Sequence, residues 1–123
     1  MDTPSTQVSM AKLPPENTEI INNLKQQSLD LVDEATATEL TIFELLGETQ
    51  QTLSYMDEMK NVADEAASSF SQLSTLQLQM AQAQPNATPD LLRLLSQVIS
   101  RTQARIPALE RSIQEVKTEW NLS

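Results

Sequence analysis

The chain has 123 residues, of which 39% are hydrophobic and only 3% aromatic. That suits one domain with a thin core between helices, and it excludes a thick sandwich or a deep ligand pocket. A net charge of −9 and a pI near 4.3 set the chain against nucleic-acid backbones and anionic lipid surfaces, both of which would repel it. Cysteine and histidine are both absent, so disulfides and zinc sites of the Cys/His kind are excluded. A single glycine, Gly47, leaves too little turn chemistry for a many-stranded fold. The expected fold class is all-α.

Residues 1–17 hold Pro4, Pro14 and Pro15 with several Ser and Thr, and they read as a disordered N-terminal arm. Met1 to Ser5 lack the basic start and apolar stretch of a signal peptide, and no apolar run reaches the ~20 residues that span a bilayer. The expected location is the cytoplasm, with the nucleus as the alternative. In that setting the sequons at Asn86 and Asn121 read as chance.

From Thr18 to Gln84 there is no proline, and the apolar residues recur as heptads. One seam runs Ile21, Ser28, Ala35, Ile42, Thr49, Met56, Ala63, Phe70, Gln77. The other runs Leu24, Leu31, Thr38, Leu45, Thr52, Met59, Ala66, Leu73, Met80. The frame does not slip, which favours one long amphipathic helix over 18–84, roughly 100 Å at ~1.5 Å per residue. A break at Gly47, or near Ala35 ahead of the capping-box pattern Thr36-Ala37-Thr38-Glu39, is the alternative and gives a three-helix bundle.

Residues 85–89 read as a turn. Thr88 suits an N-cap, Pro89 the first helical position and Asp90 the positive end of the helix dipole. A return helix over 90–120 follows, with seams Leu92, Ile99, Ile106, Ile113, Trp120 and Leu95, Thr102, Leu109, Val116, and with a kink expected at Pro107. Folded back antiparallel about Asn86, it sets Met80 against Leu92, Ala66 against Ile106 and Thr52 against Trp120, so that small residues face large ones. Residues 1–84 carry 13 acids and 3 bases, and 85–123 carry 4 acids and 5 bases. This register brings Arg111 near Asp64 and Lys117 near Asp57. The whole reads as a coiled-coil-like helical hairpin.

The return helix is too short to cover residues 18–51, whose apolar stripe is costly to leave in water. Partner-binding residues expected there are Ile20, Leu24, Leu31, Ile42, Phe43 and Leu46, joined by Trp120 at the far end of the chain, where it either caps the hairpin or anchors a partner. The polar seam residues Ser28, Thr38, Thr49 and Gln77 argue for a hetero-oligomer with other helical chains over a homodimer. Adjacent acids such as Asp57-Glu58 point about 100° apart on a helix and read as a solvated face. No nucleophile motif, phosphate loop or ligand cluster accompanies them, so no catalytic, cofactor-binding or metal residues are expected. Met56, Met59 and Met80 read as core, and the arginines of the return helix are too few for a nucleic-acid patch. The expected function is that of a non-enzymatic helical subunit of a larger assembly, a scaffold, tether or adaptor, with a self-contained three-helix protein-binding module as the alternative. Neither nucleic acid nor direct membrane insertion is expected.

Overall fold

The computed structural model describes residues 15–83 and 87–122. The expected arm therefore lies largely outside the described residues, as does Asn86; Pro15, Glu16 and Asn17 already belong to the first helix. The described chain is all-helical, in three helices: α1 (Pro15–Leu46), α2 (Gln50–Gln82) and α3 (Pro89–Glu119).

In place of one helix over 18–84 there are two. Helix α1 ends at Leu46, and the Gly47 N–H closes its last turn on the Phe43 carbonyl at 2.9 Å. Gly47 has φ +72°, the left-handed conformation that glycine adopts without a Cβ penalty just past a helix end. Thr49 then caps α2: its hydroxyl accepts from the Thr52 N–H, and the Thr52 hydroxyl accepts from the Thr49 N–H at 2.8 Å. The same Thr52 hydroxyl lies 2.7 Å from the Gly47 carbonyl, which it can donate to. A cap contributes about 1 kcal/mol. An interior glycine costs a continuous helix only about 1 kcal/mol. Burial is the larger quantity, because each large aliphatic side chain withdrawn from water is worth about 1.5–3 kcal/mol, and Ile21, Leu24, Leu31 and Ile42 are all buried. The capping-box pattern at Thr36 is not used, since α1 runs through it.

Each helix touches both others, and α1 with α2 makes the most extensive contact. The sequence pointed instead to α2 and α3 as the main pair. Antiparallel pairing of α1 with α2 is marked by Lys60–Glu39 at 2.8 Å and by Lys25 donating to Gln77 at 3.0 Å. Antiparallel pairing of α2 with α3 is marked by Arg105 donating to Glu65 and Arg101 to Gln72, pairs centred close to position 86. Lys117 crosses to Glu34 of α1 at 2.8 Å rather than to Asp57. Arg111 makes no ion pair among the described residues.

The core forms one cluster along all three helices. In α1 it takes the expected seam from Ile21 to Ile42: Ile21, Leu24, Ser28, Leu31, Ala35, Thr38 and Ile42 are all buried, and only the last seam residue, Leu45, is exposed, at 69%. The two hydroxyls in this run bond to the preceding turn, Ser28 to the Leu24 carbonyl and Thr38 to the Glu34 carbonyl, each at 2.8 Å. A buried polar group that finds such a partner carries little penalty. These residues therefore need no polar layer from another chain.

Helix α3 starts on a Thr88 cap whose hydroxyl accepts from the Leu91 N–H, with Pro89 in the first turn. It continues through Pro107. It ends with Asn121 at φ 55°, the Leu122 N–H on the Lys117 carbonyl at 2.7 Å and the Asn121 N–H on that of Thr118. This is the paired closure of a Schellman motif.

Two modest effects follow. A Cβ at Gly47 meets nothing within 4 Å, so Gly47→Ala is strained only through its backbone. Urea unfolding of that variant should show a loss of about 1–2 kcal/mol. The Arg105 guanidinium, bonded to Glu65, holds that carboxyl below its usual range. The contribution is present above the unfolded-state pKa of about 4.3 and is lost as pH falls through the depressed folded value. Both partners are over a third exposed, so the wild type should exceed Glu65→Gln by less than about 1 kcal/mol at neutral pH. In acid the gap should close.

Candidate protein-binding surface

Of the seven residues expected to meet a partner, the structure spends most on the chain's own packing. Leu24, Leu31 and Ile42 are buried in the core, and Ile20 packs against it half-buried. A partner cannot reach these three while the helices stay packed. Trp120 also turns inward: its ring meets Tyr55 edge-on, with centroids 5.3 Å apart and planes at 87°. It closes the end of α3 over the first turns of α2, in the region of Thr52. Its indole N–H is buried and has no partner among the described residues.

Phe43 and Leu46 remain in solvent, 47% and 41% exposed. They are not alone. Leu40 (54%) and Leu53 (41%) are exposed as well, and Leu29 lies further along α1. Leu29 and Phe43 are two heptads apart and share one row of α1, with Leu40 and Phe43 one turn apart. The α1–α2 register places the rest. Leu46 lies two turns beyond Glu39, and Leu53 lies two turns before Lys60. Carried on from the Glu39–Lys60 bridge, that register sets Leu46 and Leu53 on the same side of the α1–α2 pair, two turns closer to Gly47. Lys60 is held protonated more firmly than an ordinary lysine by its hydrogen bond to Glu39. Apolar side chains thus border the outer α1–α2 seam and gather at its Gly47 end.

Three concave regions are open grooves. One of about 340 Å³ runs between α1 and the end of α3, lined by Thr41, Leu45, Lys117 and Leu122. A second, between α1 and α3, includes Ile20, Gln103 and Pro107; a third, between α2 and α3, includes Gln72, Gln79 and Leu94. Among the described residues no three or more Asp, Glu, His or Cys are placed to hold a metal ion. No described helix is long and apolar enough to cross a membrane. What the exposed arrangement offers is contact area, in the form of apolar side chains on rigid helices.

Of these exposed residues, the sequence pattern singled out Phe43 and Leu46 but not Leu40 and Leu53. The signal was available in the outer heptad rows, where Leu29, Leu40 and Phe43 stand at positions a solvated face would give to polar residues.

No family model matches the chain, and no curated protein or solved structure matches it significantly.

Proposed function

We propose that the chain is a self-contained three-helix bundle that works as a non-enzymatic binding module for other helical protein chains, in a hetero-oligomer. The observation that carries this reading is the division of the α1 stripe. Its seam residues from Ile21 to Ile42 are used up within the chain's own core, while Leu40, Phe43 and Leu46, on other rows, and the terminal seam residue Leu45 stay exposed. A subunit that folds only with its partners would need the seam itself for them. The burial of Leu24, Leu31 and Ile42 within one chain supports the module over the obligate subunit.

Urea unfolding of the full chain over a wide concentration range tests self-sufficiency. A single cooperative transition with a concentration-independent midpoint is expected, and a midpoint that rises with concentration would overturn the reading in favour of the subunit. Cross-linking mass spectrometry in the native extract tests the binding role. Cross-links from the helices to helical segments of other proteins are expected; a chain recovered only as a free monomer contradicts it.

A further inference from the structure

The outer α1–α2 seam carries exposed apolar side chains along α1 and exposed carboxylates along α2. Along α1 its wall is Leu29, Thr36 and Phe43, one heptad row. In step with the Glu39–Lys60 bridge, the row of Glu39 holds Val32 and Leu46 on α1 and the row of Lys60 holds Leu53 on α2. The wall along α2 contains Asp57 and Asp64, both exposed and neither bridged to a base among the described residues. We propose that this seam seats a fourth helix, supplied by a different protein, with an apolar stripe toward α1 and a lysine- or arginine-bearing flank toward α2. The proposal rests on the binding-module reading and names the face and partner chemistry.

Charge complementarity selects the occupant. Helices α1 and α2 hold nearly all the acidic excess, and the one base on this seam near the apolar cluster is engaged by Glu39. A helix with an acidic flank would place like charges beside Asp57 and Asp64, which disfavours it. A second copy of this chain lacks the matching flank. Of its described bases, Lys60, Arg93, Arg105 and Lys117 are ion-paired to Glu39, Asp90, Glu65 and Glu34, and the others, Lys25, Arg101 and Arg111, are divided between α1 and α3. An amphipathic helix laid in such a groove reads it through anchors at helical spacing, which the Leu29–Phe43 row and Leu46/Leu53 present.

The test uses synthetic helical peptides three heptads long, titrated by fluorescence anisotropy into the full chain. One carries leucine at the stripe and lysine on one flank, a second has the same composition scrambled, and a third has glutamate on the flank. The lysine-flanked peptide should bind saturably and one-to-one. The double variant Phe43→Ser, Leu53→Ser should bind it at least about tenfold more weakly. The double variant Asp57→Asn, Asp64→Asn leaves the apolar contacts in place and should weaken binding chiefly at low salt. Circular dichroism confirms that each variant keeps its helices, and the charge variant decides the matter should the apolar one unfold. Equal binding of the scrambled or glutamate peptide, or no effect of either double variant, overturns the proposal. So does a wild-type chain that dimerises and becomes monomeric on Phe43→Ser, because a second copy then owns the seat. Failure here with a cooperative, concentration-independent unfolding transition removes this seat and leaves the module reading standing.

Discussion

Truncating Ile42 to alanine should destabilise the protein by about 2–5 kcal/mol, whereas Phe43→Ala beside it should change stability by no more than about 0.5 kcal/mol. Ile42 is 0% exposed and belongs to the cluster shared by all three helices. Its loss removes the transfer free energy of a whole side chain and leaves a cavity that the flanking turns close only in part. Phe43 is half in water and forms no part of that cluster. In a single long helix whose first half awaits partners, neither residue would be covered in the isolated chain, and the two substitutions would cost similar, small amounts. Urea unfolding of both variants checks this directly. The contrast between neighbours is more informative than either value alone, because it cancels whatever is common to their helix.

Replacing Thr52 by valine should cost about 1–3 kcal/mol, more than the roughly 1 kcal/mol expected for Thr49→Ala. Valine keeps the shape and deletes the hydroxyl. That hydroxyl accepts from the Thr49 N–H and reaches the Gly47 carbonyl, so one atom ties the end of α1 to the start of α2. Thr52 is 2% exposed, and water cannot readily replace it. Thr49 is exposed, and water can take over part of its role. Thermal unfolding of the two variants provides the comparison. Equal small losses would mean that the corner contributes little to holding the helices together.

The helical class and the α1 core were legible because every buried position of α1 falls on the 3–4 spacing from Ile21 to Ile42. In α2 and α3 the frame held less well. Val62, Leu76 and Val98 are buried outside it, while Leu92 is exposed. A straight helix drifts about 20° per heptad against a strict seven-residue repeat. Contact with two neighbours also widens the buried face beyond one seam. The break at Gly47 was hidden by phase. The turn residues Gly47 to Thr49 take about the place of half a heptad, so the count from Ile42 to Met56 stays in register although the chain has reversed. Thr49 and Thr52 read as polar residues within a seam, yet they are the cap that starts α2. The two readings differ only in whether Gly47 adopts a positive φ, which periodicity does not encode.

For the binding surface, the sequence carried the surplus of apolar residues in α1 and left open which of them the chain keeps for itself. Leu31 and Phe43 are both large and apolar, and both lie on amphipathic helix. Only the α2 contact separates them, by covering one and leaving the other. Trp120 shows the same limit, since its inward turn depends on Tyr55, far away in the sequence on another helix.

The claim on which the rest depends is that the chain reverses at Gly47. With no native cysteine, paired spin labels can be placed cleanly at Asp30→Cys and Ser68→Cys, both exposed. If α1 and α2 pack side by side, their axes lie about 8–10 Å apart, and double electron–electron resonance should give a label separation below roughly 30 Å. A single distribution near 57 Å, the span of that stretch as one straight helix at ~1.5 Å per residue, would contradict the account.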